Sequence, residues 1–287
     1  MSGLATGSRD PKNHSCGRAG YKQAAGNPIT EPTIVNVINL IVFASLHFIL
    51  FLLPGYALTL LLFPLIPNRT GRYLICSFLA SCLIGYIAFW LFYWNHEIGK
   101  WWAVAALALS LWVIIRDMFS RRQLFRQCHS GDYWMPLGLA FIAGLFYLSL
   151  GFLFGGINAP LDISANRFFS YALPVDNALP LILANKLWAG IPPSPLLDLT
   201  SSERPPLQTG LVLMQWFLIF RPTSEIVTQF RYLVLAVMLQ SFAVSGVWIF
   251  LRSLQVSFAS FCIGLTASIF SGLFFVHAFY VWPNYWP

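Results

Sequence analysis

The chain has 287 residues, of which 57% are hydrophobic and 9% charged, and its formal net charge is +7. A soluble domain carries about 25% charged residues. This composition therefore excludes a soluble domain and predicts a surface that faces lipid. It favours an all-α polytopic bundle of about six to seven membrane segments with a partly helical outer loop. The positive charges lie in tails and short loops, as the positive-inside rule predicts for a membrane protein. They form no basic stripe with exposed aromatic residues, so we expect no nucleic-acid partner.

The N-terminal part divides into a tail and a first group of spans. Residues 1–33 are polar and rich in glycine, proline and asparagine, which predicts a disordered tail. The transmembrane region 34–134 opens with an apolar run that Pro54-Gly55 interrupts, which disfavours one straight helix. A hairpin at this point would bring the tail into the cytoplasm, whereas a single span would leave it outside. The following elements are a span at about 73–94, a loop at 95–100 and a span at about 101–115.

A basic loop, Arg116 to Trp134, orients the rest of the chain. It holds four arginines against two aspartates, so we expect it in the cytoplasm. The fourth span then runs outward and leaves the outer loop, residues 155–206, outside the cytoplasm. The stretch from Pro206 to Phe220 is apolar but too short to cross, which predicts an interfacial or re-entrant helix. The remaining predicted spans are 135 to about 154, 226–250 running inward, and 256 to about 281 running outward.

The outer loop carries four of the ten acidic residues of the chain, and loops of this length are usually functional. Within it, Asp176 precedes a helix-like stretch from Ala178 to Trp188 that Gly190 closes. The carboxylate of Asp176 has two interpretations. It caps this helix, or it faces a water-filled cavity as a general base or a metal ligand.

Three segments of the C-terminal part together resemble a known family. Asp176-Asn177 is similar to an acidic pair that opens a helix, and Glu203-Arg204-Pro205-Pro206-Leu207 is similar to a cation-Pro-Pro-Leu stretch about thirty residues later. Ser224-Glu225 and Arg231 are similar to the segment that opens the next span. From about Met135 onward the chain thus resembles the lipid-dependent glycosyltransferases of the GT-C class, especially the aminoarabinose and protein-mannosyl transferases.

The resemblance implies roles for individual residues. It makes Asp176 the base that activates the acceptor and Arg204 the contact to the lipid phosphate of the donor; a headgroup anchor is the alternative for Arg204. Asn177, Glu203 and Lys186 are the other predicted substrate-binding residues, with a solvated helix face as the alternative for Lys186. Asn177 stands where the family has a second acid. No cofactor or metal site is therefore implied, and a divalent cation would have only Asp176 to bind it.

The function that the resemblance implies is transfer of a sugar from a polyprenyl-phosphate donor to a glycan, lipid or protein acceptor. We expect it outside the cytoplasm, on a bacterial inner membrane. Because the family continues with further spans and another acidic loop, we expect residues 135–287 to form an incomplete GT-C-like module. The alternatives are a transporter, flippase or assembly subunit for lipid-linked glycans, and an inactive truncated fragment.

Overall fold

The computed structural model describes residues 37–62, 71–120, 131–155, 178–193, 206–219 and 225–279, and the regular elements in these ranges are helices. The predicted all-α class is therefore confirmed. In chain order the helices are α1 Val37–Leu62, α2 Arg72–Trp94, α3 His96–Ser120, α4 Gly131–Gly155, α5 Leu179–Trp188, α6 Pro206–Met214, α7 Trp216–Ile219, α8 Glu225–Ser253, α9 Phe258–Ile269 and α10 Gly272–Phe279. The predicted tail, residues 1–33, lies outside the described ranges.

Five of these helices, α1, α2, α3, α4 and α8, are long and apolar enough to cross a membrane. Their outer faces expose large apolar side chains; Leu79 on α2 and Leu109 on α3 are about 60% exposed. Such a surface is unfavourable in water and normal in lipid, where apolar groups have no cost of exposure. The chain is therefore an integral membrane protein.

Contacts between the long helices show how their directions alternate. α1 and α4 are antiparallel, because the rings of Tyr56 and Tyr133 lie 5.6 Å apart and those of Phe48 and Phe141 lie 5.3 Å apart. α2 follows α1 and packs along it, and α3 turns back after the single residue Asn95. The chain thus reverses direction at each successive span, as the sequence predicts.

α8 is the most buried of the five long helices and runs antiparallel to α4. The rings of Phe152 and Phe230 lie 5.3 Å apart at one end, and at the other end Ser245 donates a hydrogen bond to the carbonyl of Pro136 at 2.9 Å. We define the basic end of the bundle by Arg72, Arg116 and Arg252, which lie at the start of α2 and the ends of α3 and α8. The opposite end is defined by Trp94 and Phe152.

α1 passes through Pro54 without a break, so the predicted interruption and the hairpin alternative are wrong. Proline disturbs the backbone hydrogen bonds around it in a helix, and in a membrane Ser and Thr side chains of the same or a neighbouring helix can satisfy the freed groups. Here the Gly55 N–H donates to Ser81 Oγ at 3.1 Å, and Thr59 Oγ1 donates to the Gly55 carbonyl at 2.8 Å. α2 approaches so closely that a Cβ on Gly55 would overlap the carbonyl of Ser77.

α3 begins earlier than predicted, because the expected loop 95–100 is already helical from His96. The side chain of Asn95 accepts hydrogen bonds from the backbone N–H groups of Glu97 at 2.9 Å and Ile98 at 3.3 Å. This is an N-cap, which satisfies donors that a helix start otherwise leaves unpaired. The predicted basic loop is also shorter than expected, since 116–120 belong to α3 and 131–134 to α4; residues 121–130 lie outside the described ranges.

α6 is buried from Thr209 to Met214 and half-buried before that, which fits a re-entrant helix better than an interfacial one. Its 9 residues span about 14 Å. It crosses α2 at a pair of glycines, where a Cβ on Gly210 would overlap the carbonyl of Gly85. Gly85 lies nine residues before Trp94 (94 − 85), or about 14 Å from the opposite end, so the crossing is deep within the span.

The last predicted span, 256–281, is not one helix. α9 has 12 residues and α10 has 8, and each is too short to cross a bilayer alone. α9 ends at Ile269 with Phe270 as its C-cap, and Ser271 Oγ then accepts the Phe274 N–H at 3.2 Å, which starts α10. The apolar run contains neither proline nor charge at this point, so hydropathy alone predicted continuity. Residues 280–281 lie outside the described ranges.

Candidate functional site

Two short helices, α5 and α6, bring the predicted site segments into the bundle. The predicted helix from Ala178 to Trp188 is confirmed as α5, and Gly190 follows it in the left-handed conformation, with φ 68. α5 packs against α6 and also contacts α2 and α3. The indole of Trp188 stacks on that of Trp216 with a centroid distance of 4.8 Å, and it lies 5.9 Å from the ring of Phe92.

Four of the five predicted site residues, Asp176, Asn177, Glu203 and Arg204, lie outside the described residues. The fifth, Lys186, lies half-buried in the last turn of α5, where its carbonyl accepts the Ile191 N–H at 2.9 Å. In the sequence, Asp176 precedes the first residue of α5 by three positions and Arg204 precedes α6 by two. The mutual arrangement of the predicted residues therefore stays a prediction, while the helices that follow them are in contact.

The start of α3 adds charged groups beside α5. Lys100 Nζ lies 2.7 Å from a carboxylate oxygen of Glu97 and 4.8 Å from the ring centroid of Trp188. His96 lies against the turn after α5, where a Cβ on Gly190 would come within 2.9 Å of its Nδ1 atom. These contacts attach α5 to the opposite end of the bundle through both an ammonium–aromatic contact and close packing.

A pocket of about 230 Å³ opens at this junction. Its wall combines aromatic residues of α2 with the turn after α5, namely Tyr93, Trp94, Asn95, His96, Gly190 and Pro192. Among the described residues, no three His, Cys, Asp or Glu side chains come together as a metal site would need. The pocket is therefore lined by aromatic rings, the amide of Asn95 and the imidazole of His96, and not by a cluster of metal ligands among the described residues.

A buried hydrogen-bonded pair joins α1 to the break between α6 and α7. His47 Nδ1 lies 2.7 Å from Gln215 Oε1, and Gln215 Nε2 donates to the His47 carbonyl at 3.3 Å. Both side chains are at most 1% exposed. Because an amide oxygen only accepts, His47 must carry a proton on Nδ1. Its Nε2 atom is buried and has no hydrogen-bond partner within the described part of the chain, so in the neutral ring it is an acceptor.

Arg231 lies on α8 close to this pair. Its guanidinium carbon is 4.6 Å from the ring centroid of Phe43, which is one helical turn from His47 on α1. The guanidinium also interacts electrostatically with His47. A cation inside a span is costly unless it has a partner, and the ring of Phe43 is one partner of Arg231. A cation and an acceptor nitrogen thus face the interior of the bundle together.

Sequence reasoning missed His47 and Gln215. A signal was present, since each is a polar residue in an otherwise apolar run and such residues are costly unless paired. The two are 168 positions apart, however, and no local pattern connects residues at that separation. Only the re-entrant path of α6 brings Gln215 to α1.

No family model matches this chain, and the searches of curated proteins and solved structures also find no match. The resemblance to GT-C glycosyltransferases therefore remains a prediction from three sequence segments.

Proposed function

We propose that this protein transfers a sugar from a polyprenyl-phosphate donor to an acceptor outside the cytoplasm, on a bacterial inner membrane. The observation that carries the proposal is the contact between α5 and α6. These are the helices that directly follow the segments with Asp176 and Arg204, so a base and a phosphate-binding cation can serve one substrate. Lys186, the predicted substrate-binding residue that lies among the described residues, is half-buried on α5.

The proposed reaction is a displacement at the anomeric carbon of the donor sugar. Asp176 takes the proton of the acceptor hydroxyl, and the acceptor oxygen forms the new bond to the anomeric carbon. The bond from that carbon to the phosphate oxygen breaks, and its electron pair leaves with the lipid phosphate. Arg204 stabilises this phosphate by bidentate hydrogen bonding, while Asn177 and Glu203 orient the sugar and the guanidinium.

The test uses proteoliposomes that contain the protein, a labelled polyprenyl-phosphate sugar and a bacterial lipid and glycan extract as the acceptor, with acceptor-dependent release of free polyprenyl phosphate as the readout. Asp176→Ala should abolish release because no base remains, and the matched variant Asp198→Ala in the same loop should retain it. Loss of a general base typically lowers a rate by about 10²–10⁴-fold. Equal rates for wild type and Asp176→Ala would show that Asp176 is not the base.

Donor binding is tested separately from chemistry. Arg204→Ala should weaken binding of polyprenyl phosphate by about tenfold, because a charged hydrogen bond contributes about 1.5–3 kcal/mol. Arg204→Lys should recover part of this affinity, since an ammonium keeps the charge and loses the bidentate geometry. Arg116→Ala, at the basic end, is the control and should bind as wild type does. An unchanged affinity in Arg204→Ala would remove the phosphate role.

A second function, movement of a lipid-linked anion across the membrane, is favoured by one observation. Arg231 and the polar side chain of His47 lie inside spans and face the bundle interior, as substrate-binding residues of transporters do. Flipping of a fluorescent polyprenyl phosphate, followed by chemical quenching of the outer leaflet, distinguishes the two functions. A transporter would flip this lipid without releasing sugar, and Arg231→Gln would stop flipping while Asp176→Ala would not.

A further inference from the structure

A second pocket lies at the basic end, far along α8 from the segments discussed above. It has a volume of about 400 Å³ and lies between the start of α4, the end of α8 and the start of α9. Its lining includes Trp248, Leu251, Arg252, Gln255, Phe258 and Phe261. We call it the α8–α9 cleft, and neither the proposed transfer reaction nor the resemblance gives it a role.

The deep wall of the α8–α9 cleft is aromatic. Trp248 is 2% exposed and packs edge-to-face on Phe261 with a centroid distance of 6.1 Å. Phe258 lies at the rim and is 82% exposed. The indole Nε1 of Trp248 is buried without an acceptor among the described residues, which leaves a donor in this wall. An aromatic and aliphatic wall of this kind favours a hydrocarbon chain over a soluble anion.

The mouth of the cleft is cationic and polar. Arg252 is the penultimate residue of the apolar span Val227–Ser253, so its guanidinium lies where the hydrocarbon core ends. The guanidinium carbon is 5.6 Å from the ring centroid of Trp248. Arg72 and Arg116 lie at the same end, which makes this side of the bundle attractive to negatively charged headgroups.

Gln255 holds the turn at the cleft in an unusual conformation. Its φ is 52, in the left-handed region where glycine is favoured, and its N–H donates to the Arg252 carbonyl at 3.2 Å. Such a conformation in a residue with a side chain is retained where the surroundings require it. Here it keeps an amide side chain in the lining of the cleft beside Arg252.

Along the membrane normal, the cation, the amide and the aromatic rings of the cleft follow the order of the phosphate, ester groups and acyl chain of a phospholipid. Trp248 precedes Arg252 by four residues on α8, which places it about 6 Å deeper in the membrane. A phosphate on Arg252 would therefore lead to ester groups near Gln255 and an acyl chain against Trp248 and Phe261. We propose that the α8–α9 cleft binds one anionic phospholipid of the cytoplasmic leaflet, with its phosphate on Arg252. This site is independent of the proposed glycosyl transfer.

The experiment is native mass spectrometry of the full chain in detergent, titrated with phosphatidylglycerol and, separately, with phosphatidylcholine of the same chain length. Wild type should retain one phosphatidylglycerol at concentrations where phosphatidylcholine is lost. Arg252→Gln should weaken phosphatidylglycerol binding by about tenfold, as expected for the loss of one charged hydrogen-bonding group. The exposed position of Arg252 means that this variant should fold, which the melting temperature in detergent checks.

Arg116→Gln is the matched control. Arg116 also lies near an indole one turn earlier, 5.4 Å from the ring centroid of Trp112, but both residues are exposed on α3 and neither lines the α8–α9 cleft. Arg116→Gln should bind phosphatidylglycerol as wild type does. Equal losses in the two variants would overturn the proposal, because binding would then reflect only the positive charge of this end.

Two further arms separate a lipid from other occupants. Val256→Trp should fill the cleft and weaken lipid binding at least tenfold while Arg252 is retained, since Val256 lines the cleft. Glycerol phosphate, which has the headgroup without chains, should not compete with the lipid at equal concentration. Unchanged binding in Val256→Trp, or full competition by glycerol phosphate, would overturn the assignment of a lipid and leave an anion site on the surface.

Discussion

Two apolar stretches of this chain differ in whether the helix stays continuous, and in each of them the outcome is the opposite of what the local sequence predicts. α1 carries Pro54 and nevertheless remains one helix from Val37 to Leu62. The stretch from Phe258 to Phe279 has neither proline nor charge before its break, yet it ends as a helix at Ile269 and restarts at Gly272. The difference lies in the neighbours of each stretch.

α1 packs against α2, α3, α4 and α8 and receives polar support from α2 and α4. A buried chain of hydroxyls runs from Tyr133 of α4 through Ser77 of α2 to Thr59, with donor–acceptor distances of 3.2 and 3.1 Å, and ends at the Gly55 carbonyl. α9 lies at the periphery, where Leu265 is its only buried side chain among the described residues. In lipid, where water cannot satisfy a backbone group, continuity thus depends on the polar partners that surrounding helices supply.

The largest effect is expected where α1 meets α2. Gly55→Ala should lower the free energy of unfolding by at least about 3 kcal/mol, because its Cβ meets the Ser77 backbone and not a flexible side chain. Unfolding in mixed micelles with a denaturing detergent measures this. Gly138→Ala on α4 is the matched control, since nothing lies within 4 Å of its added Cβ, and it should stabilise by about 0.5–1 kcal/mol. Similar changes in the two variants would contradict the close approach.

The second-largest loss of stability is expected at the break between α6 and α7, where Gln215 is hydrogen-bonded to His47 of α1. Gln215→Leu should cost about 1–3 kcal/mol because it leaves His47 Nδ1–H buried without an acceptor. His47→Leu combined with Gln215→Leu should recover most of this loss, since both polar partners are then absent. A double-mutant cycle in mixed micelles measures the coupling. Additive costs would show that the pair contributes nothing as a pair.

The sequence correctly predicted the features that depend on long local patterns. Its predictions were wrong or missing where a contact with a distant helix determines the structure. Apolar runs such as the one around Leu79 predicted the spans, and the basic loop that begins at Arg116 predicted their alternation. Pro54 was misread because Ser81, which supports it, belongs to another helix. Of the candidate site, the sequence located α5, but the His47–Gln215 pair depends on a tertiary path that no local pattern encodes.

A smaller loss of stability is expected when the hydrogen bond between the Gly55 N–H and Ser81, next to Pro54, is removed. Ser81→Ala removes the acceptor of the Gly55 N–H and should cost about 1 kcal/mol in mixed micelles. Ser149→Ala on α4 is the control, because that hydroxyl donates only to the Leu145 carbonyl of its own helix and is exposed. It should change stability by less than about 0.5 kcal/mol. If Ser81→Ala behaved like Ser149→Ala, the continuity of α1 would not depend on α2.

The smallest effect is expected at the peripheral break. Ser271→Ala removes the cap of the Phe274 N–H and should cost about 0.5 kcal/mol or slightly more, because the site is only partly buried and has few neighbours to disturb. Hydrogen exchange should accelerate at the Phe274 amide and stay unchanged in α8. Ser268→Ala is the control, since its hydroxyl donates back to the Gly264 carbonyl within α9 and its loss should leave the break intact. Faster exchange in α8 after Ser271→Ala would mean that the α9–α10 break is supported by the bundle, as Pro54 is, and the contrast between the two regions would disappear.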